Sequence, residues 1–495
     1  MGISQLQSSM GRIASTCARA ITLLGLATGL SAAGYRLSGP HAANSPEPPD
    51  FRLWVTTPDL TKHLAEEQNF QVEGEGASLV QVNTSQELQT IEGFGAAFTD
   101  TSAWLLHALP QQRRVVLMKS LFDRREGIHL SLMRVPMGSS DFTRTSTYSY
   151  ADTVQDQALP EFSIRHDNAY ILPVLREAQK MNPEMRLFAN PWSPPAWMKT
   201  NQSMLGSGKR ATLLENQYGA LANYFVKFLL AYEKKSVHIW GISAQNEPNQ
   251  DPATYSAMYL APEDEARFLV ENLAPALHKA NLNPVILAAD TSSADPAYAK
   301  ALFHDPRVLP LVGATAWHCY QDIDTFAAGL AELRTILPDR PMYVTECSTG
   351  PGGYIAGDTT EKTLVALKNG ASGMVLWNLA LDPSGGPKMG VGCERCTGLV
   401  TIDPASGHYE MTLNYYELGH FSKFVHMGAR RLKTSDGDGI WAQAFRNPEG
   451  SIAIVLYNTN TDTRTVSVQL DSSKSVRFAL SSHATATLVK TSNEP

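Results

Sequence analysis

The sequence predicts an α/β fold: a (β/α)8 TIM barrel with an appended β-sandwich built from the N-terminal and C-terminal segments. Three observations carry this. Between residues 90 and 418, eight short apolar runs alternate with longer segments of helical spacing, which is the signature of a parallel sheet wrapped in helices. The later run ends recur at the repeat such a barrel needs: 28 residues separate Asp290 from His318, 28 separate His318 from Glu346, and 31 separate Glu346 from Trp377. The expectation is roughly 30 residues per unit when about 250 make eight units. On either side, in 51–89 and 419–495, the pattern is the polar-apolar alternation of half-buried strands.

The bulk properties leave room for that architecture and narrow the partner. With 495 residues, 43% hydrophobic and 18% charged, the chain is globular and long enough for one large barrel and a smaller module. Its 41 basic and 48 acidic side chains leave a net charge of −7, with no block of Lys or Arg. A nucleic acid or an acidic polymer therefore fits poorly, and a neutral substrate fits better.

In chain order, the amino terminus places Arg12 and Arg19 before the apolar run from Ile21 to Leu30 and the small residues Ser31-Ala32-Ala33-Gly34. That order reads 1–33 as a signal peptide, with an uncleaved signal anchor as the alternative; the run is short for a membrane span. The mature chain is thus expected to be secreted or periplasmic, with no integral membrane span. Residues 34–50, containing Pro46, Pro48 and Pro49, read as a flexible leader. Phe51 to Thr57 and Ser78 to Val82 alternate as strands, lack a sheet of their own and are expected to complete the C-terminal sandwich.

The barrel runs end near Gly95, Arg134, Trp192, Glu247, Asp290, His318, Glu346 and Trp377. Between them, Leu214 to Lys235 and Pro262 to Ala280 have helical spacing, and the second opens on Pro-Glu-Asp-Glu, which suits a helix amino terminus. Past Gly419 the alternation returns in Ile440 to Phe445, Ile452 to Tyr457 and Thr465 to Leu470, with Asn447-Pro448-Glu449-Gly450 as a turn.

Ser243-Ala244-Gln245-Asn246-Glu247-Pro248 follows an apolar run, so Glu247 stands at a strand end with an amide before it and a proline after it. Pro341-Met342-Tyr343-Val344-Thr345-Glu346 ends another run on an acid. In a barrel of parallel strands these ends share one rim, where reacting groups gather. Two carboxylates there are the minimum equipment for splitting a glycosidic bond. Arg134, Trp192, His318 and Trp377 join them; aromatic faces stack on sugar rings, and acids and amides bind hydroxyls.

Six segments then resemble glycoside hydrolase family 30 and, within it, the glucosylceramidase branch. They are Gly93 to Asp100, Arg134 to Phe142, Pro191 to Asn201, Asn246-Glu247-Pro248, Trp377 to Asp382 and Leu418 to Phe424. The resemblance implies a retaining double displacement with Glu247 as acid/base and Glu346 as nucleophile. It also implies that Asp141, Trp192, Asn246 and Trp377 hold the sugar, with Arg134 and Tyr320 near the nucleophile. The substrate would be a carbohydrate or a glycolipid: a β-glucoside of glucosylceramide or another type. A β-xylosidase or β-1,6-glucanase is the alternative, and a non-catalytic carbohydrate-binding protein is a second. Relatives with lipid-linked substrates carry an asparagine in the loop after Gly-Gly-Pro. Here that tract runs from Gly385-Gly386-Pro387 to Gly392-Cys393-Glu394-Arg395-Cys396, so no outer sugar contact is assigned to it.

Each site residue also has a plainer reading. Arg134 can be a structural ion-pair partner, and His318 a core histidine bonded across strand ends. Trp197, Trp240 and Trp317 read as packing. Of the five cysteines, Cys17 falls in the signal; Cys393 and Cys396 form a lone C-x-x-C that reads as a local disulfide or as two free thiols. Cys319 and Cys347 follow functional residues at neighbouring run ends and read as buried free thiols. Gly93-Phe94-Gly95 lacks the third glycine and following acid of a dinucleotide site. No cluster of His, Cys and Asp has ligand spacing, so no metal and no organic cofactor is expected.

Overall fold

The computed structural model describes residues 51–72, 77–153, 157–349, 358–390, 393, 396–472 and 475–491. The expected signal peptide and leader lie outside the described residues. Three strands open the chain, β1 (Phe51–Thr56), β2 (Ala65–Glu67) and β3 (Ser78–Thr90). The barrel strands follow: β4 (Gly93–Ala96), β5 (Leu132–Pro136), β6 (Arg186–Asn190), β7 (Gly241–Ser243), β8 (Val285–Thr291), β9 (Ala314–His318), β10 (Met342–Glu346) and β11 (Ala371–Leu376). A small three-stranded sheet comes next, from β12 (Ala380–Leu381), β13 (Val400–Asp403) and β14 (His408–Met411). The chain closes with β15 (Arg430–Thr434), β16 (Ile440–Arg446), β17 (Ile452–Asn458), β18 (Arg464–Leu470), β19 (Val476–Leu480) and β20 (Thr485–Lys490).

β4 to β11 form an eight-stranded parallel sheet in the order β4-β11-β10-β9-β8-β7-β6-β5. It closes on itself: the Ser131 amide donates to the Phe94 carbonyl at 2.9 Å, and the Phe98 amide donates to the Arg134 carbonyl at 2.7 Å. Leu132, Phe188, Leu287, Ala316, Tyr343 and Val375, from six different strands, meet in one buried cluster, which places them inside the barrel. Such strands are covered on both faces, which is why they read as continuous apolar runs. The helix expected from Leu214 is Tyr218–Glu233. The one expected from Pro262 runs as Pro262–Arg267, a π-turn at Phe268–Leu273, and Ala274–Lys279.

The nine-stranded sheet runs β19-β18-β3-β15-β16-β17-β20-β1-β2. β1 pairs antiparallel with β20 from Phe51↔Lys490 to Thr56↔Thr485, while β3 lies between β18 and β15. Alternate side chains of strands near both edges, Leu53 and Val55 with Phe478 and Leu480, share one core, so the sheet folds over into two layers. Helix Leu413–Ser422 lies at the seam, where Phe421 packs on Phe94 of the barrel (ring centroids 5.6 Å apart) and His420 bonds to Thr56 and Thr487 of the sheet. Among the described residues, no helix is long and apolar enough to cross a membrane.

The cysteine reading needs one correction. Cys319 and Cys347 are not free thiols but a disulfide, with Cα atoms 5.2 Å apart. β9 and β10 are hydrogen-bonded neighbours, and each cysteine is the first residue past its strand, so the register brings the two within bonding distance. Cys393 and Cys396, left open between two states, are also joined.

Candidate active site

Glu346 is the last residue of β10 and nearly fully buried, and three groups turn towards its carboxylate. Arg134 Nη1 donates to Oε2 at 2.5 Å, Tyr320 Oη donates to Oε1 at 2.7 Å, and His318 Nδ1 stands 3.7 Å from Oε1. Burial raises the Glu346 pKa, the charges of His318 and Arg134 oppose that, and the Glu247 carboxylate adds to it. Glu247 follows the short β7 on a backbone bent to φ 43°, its amide donating to the Asp290 carbonyl at 2.9 Å. One oxygen of each glutamate and a ring nitrogen of His318 lie within 4.8 Å of one another.

Behind the glutamates sits a charged layer closed to solvent. Arg134, 0% exposed, also donates from Nη2 to Asn246 Oδ1 at 2.6 Å and to Asp290 Oδ2 at 3.2 Å, and from Nε to Asn190 Oδ1 at 3.1 Å. Its guanidinium lies over the Trp192 ring, 4.6 Å from the centroid. His318 meets Glu247 Oε1 through Nδ1 at 3.2 Å and Asp290 Oδ1 through Nε2 at 3.3 Å. Burial alone would lower the His318 pKa, but the carboxylates of Glu346, Asp290 and Glu247 outweigh it and raise the value to about 9. Asp290 answers in kind: burial would raise it, yet Arg134, His318 and Ser243 hold it well below the usual carboxylate range. Both ring nitrogens of His318 are already engaged by acids, Nδ1 by Glu247 and Nε2 by Asp290, so the histidine of the Glu247, His318 and Glu346 trio is tied into hydrogen bonds.

In front of this layer is a cavity of about 420 Å³, lined by Asp141, Trp192, Asn246, Tyr320 and Trp377 with both glutamates. Trp192 and Trp377 stack on each other with centroids 5.0 Å apart. Asn246 spends its carbonyl on Arg134, which leaves its NH2 as the donor for a hydroxyl. Asp141 Oδ1 is buried and has no hydrogen-bond partner among the described residues, and the Asp141 carboxyl is raised to about 8 by burial first and then by Glu346 and Glu247. A buried carboxyl with an open oxygen is what a ring hydroxyl can satisfy. The wall beyond Glu247 is made by Gln250, Thr254, Tyr255 and Ser292, with Gln250 Nε2 donating to Ser292 Oγ at 3.1 Å. A larger cleft of about 680 Å³, lined by Glu92, Pro341 and Gly370 just before the amino ends of β4, β10 and β11, contains none of these groups.

Every predicted site residue thus comes to one place, in two layers. Asp141, Trp192, Asn246, Tyr320, Trp377, Glu247 and Glu346 line the cavity, whereas Arg134 and His318 stand behind the glutamates and contact them. Sequence reasoning missed Asp290 as a member, together with its donors Asn190, Ser243 and Thr345. The available signal for Asp290 was an acid at the end of its apolar run, as at Glu346. It also missed the wall from Gln250 to Tyr255, which lies in a loop without periodicity.

Residues 91–425 match the glycosyl hydrolase family 30 TIM-barrel domain, and residues 428–488 match the glycosyl hydrolase family 30 beta sandwich domain. The chain is 33% identical over 386 residues to an endo-1,6-beta-D-glucanase of Neurospora crassa, covering 75% of this chain and 79% of that one. It is 31% identical over 408 residues to the lysosomal acid glucosylceramidase of Mus musculus, covering 78% of each. Among solved structures, SrfJ from Salmonella typhimurium superposes with a TM-score of 0.81 at 27% identity, over 89% of this chain and 99% of that one. The endo-beta1,6-glucanase BT3312 superposes with a TM-score of 0.79 at 26% identity, over 90% of this chain and all of that one.

Proposed function

Because the chain belongs to glycosyl hydrolase family 30, we propose that this glycoside hydrolase is an exported retaining β-glucosidase working by double displacement. The observation that carries the reading is the approach of the two carboxylates, with one oxygen of each inside a 4.8 Å group. Retention needs carboxyls about 5–5.5 Å apart, whereas inversion leaves about 6.5–9.5 Å for a water. In the first step a Glu346 oxygen bonds to the anomeric carbon as the glycosidic bond breaks, and Glu247 gives its proton to the leaving oxygen. In the second, Glu247 takes a proton from water, the water oxygen bonds to the same carbon, and the Glu346 carboxylate leaves. Two inversions restore the starting configuration.

Arg134, Tyr320 and His318 support the nucleophile's negative charge before attack and after release. Asp141, Asn246 and the two tryptophans hold the sugar. The leaving group of the β-glucoside is a ceramide in the glucosylceramidase reading. A β-1,6-glucan is the second reading; it is favoured by the polar pair Gln250 and Ser292 on the leaving-group wall and by the likeness to two glucanases. A panel of aryl β-glucosides, glucosylceramide, gentio-oligosaccharides and aryl β-xylosides separates these. Xyloside cleavage without glucoside cleavage would end both. Export rests on the order of the first 33 residues, and amino-terminal sequencing of the protein recovered outside the cytoplasm tests it.

The roles of the glutamates are tested by an asymmetry. Glu346→Gln should abolish turnover of every substrate, whereas Glu247→Gln should keep glycosyl-enzyme formation for a substrate whose leaving group needs little protonation. Rapid-mixing release of a nitrophenolate reads this directly. Equal loss of the burst in both variants would mean the roles are wrongly assigned.

A further inference from the structure

We infer that Lys199 is a positioning residue for the leaving-group side of the cavity: its ammonium group fixes the loop behind Glu247 in the shape that a sugar leaving group meets. The inference rests on the reading of the cavity as a β-glucosidase site and names the part of it that selects the leaving group.

Lys199 follows the 3-10 turn Ala196–Met198 and is 0% exposed. Its three ammonium hydrogens match three carbonyls: Met204 at 3.2 Å, Leu205 at 2.9 Å and Ala257 at 2.5 Å. The first two belong to the loop after β6, and the third to the loop after Glu247. Asp251 is the charged group that faces the ammonium, and one of its oxygens accepts from Ser207 Oγ at 2.6 Å and the Ala211 amide at 2.9 Å. A buried cation held by carbonyls alone contributes less to stability than a well-packed apolar side chain would, so its presence points to a geometric task.

That task can be read from what the carbonyls belong to. The chain from Pro248 to Leu260 starts at the acid/base and supplies Gln250, Pro252, Thr254 and Tyr255 to the cavity wall. Between Pro248 and Leu260 it forms no helix or named strand of its own. It is held against 204–208 by the Leu205↔Ser256 bridge, the Gly206 amide on the Tyr255 carbonyl at 3.2 Å and the Gly208 amide on the Asp251 carbonyl at 2.7 Å. The two loops touch so closely that a Cβ on Gly206 would stand 2.3 Å from the Pro252 carbonyl oxygen. Lys199 ties both loops from beneath. The leaving group must lie on the Glu247 side, so this wall is what it meets, while the sugar in the inner pocket is held by Asp141, Trp192, Asn246 and Trp377.

The test uses Lys199→Met on two substrates, a nitrophenyl β-glucoside and gentiobiose. For gentiobiose, kcat/KM should fall on the order of tenfold, through KM, which is the worth of about one charge-assisted hydrogen bond. For the aryl glucoside, whose small leaving group needs little of the wall, both constants should stay near wild type. An unchanged ratio of the two substrates in Lys199→Met, or a wild type that cleaves the aryl glucoside but not the disaccharide, overturns the inference alone. A wild type that cleaves no β-glucoside overturns the glucosidase reading as well. Should Lys199→Met not fold, the wild type supplies the same ratio across pH. Burial lowers the Lys199 pKa to about 7 against the pull of Asp251, and a neutral amine can serve only two of the three carbonyls. With methyl β-glucoside in place of the aryl glucoside, both leaving groups are alcohols that need the proton of Glu247, so Glu247 cancels along with Asp141, His318 and Glu346, and the ratio should drop as pH rises through that value. A flat ratio overturns the inference.

Discussion

Asp290 accepts from Arg134, Asn190, Ser243, His318 and Thr345, with no exposed surface. It is the counter-charge for two cations that would otherwise stand in a closed, low-dielectric layer, and those cations oppose the rise that burial gives the Glu346 carboxyl. Removing the charge while keeping the shape isolates this effect. Asp290→Asn should cost about 3–5 kcal/mol of stability, the price of one uncompensated buried charge. It should also move the alkaline limb of the kcat/KM profile to lower pH. The direction follows from the residues: His318 is raised to about 9 by Glu346, Asp290 and Glu247, so losing one of those carboxylates lowers it and the imidazolium discharges sooner. A profile whose alkaline limb stays put in Asp290→Asn would show that His318 does not govern that limb, and the raised carboxyl of Asp141 would be the next group to examine.

The barrel depends on the strand pair that closes it. On β4, a Cβ at Gly95 would sit 2.0 Å from the Leu132 carbonyl oxygen and 2.8 Å from its carbon, both backbone atoms that cannot step aside. Gly95→Ala should therefore open the seam and destabilise by about 3 kcal/mol or more, the top of the usual range for overpacked cores, since the clash is with backbone. Soluble yield and the urea midpoint report it, and a wild-type midpoint would mean the closure has slack. All eight apolar runs read from the sequence overlap a barrel strand, with Trp192, Glu247 and Trp377 standing just past the strand ends, because parallel strands buried on both faces are largely apolar. Elements whose cause is not periodic stayed hidden. Cys319 and Cys347 bond because two strands are neighbours in a register that no single run records. Strand β12 spans only Ala380–Leu381, too short to carry an alternation. The loop from Pro248 to Leu260 takes its shape from Lys199, a residue about fifty positions earlier in the chain, and Asp290 joined the site through partners on five different strands.

Barrel and sheet are one cooperative structure because the chain enters through β1 and β3, builds the barrel, and returns to pair with both. Helix Leu413–Ser422 is the bolt between them, and its His420 carries the pH dependence of the joint. His420 is 0% exposed; Nδ1 lies 2.8 Å from Thr487 Oγ1 and Nε2 lies 2.9 Å from Thr56 Oγ1, and burial takes its pKa down to about 3. In the unfolded chain the same imidazole titrates near 6.5. The folded value is the lower one, so the folded state binds fewer protons. The stability is fully present above the unfolded pKa and is lost as pH falls from there towards the folded pKa. The slope is about 1.4 kcal/mol per pH unit across that window. Glu417, one turn earlier on the same helix, has the opposite sign. Burial raises its pKa well above the usual carboxylate value, so its contribution is greatest in acid and fades as pH rises. His420→Gln keeps an amide that can bond both threonines and removes only the titration. Urea midpoints of the two proteins should therefore agree near neutrality and diverge as the solution is acidified, with the variant becoming the more stable. Parallel midpoints down to pH 4 would place the acid sensitivity elsewhere, and Asp290, which must take up a proton against Arg134 and His318, would be the group to test next.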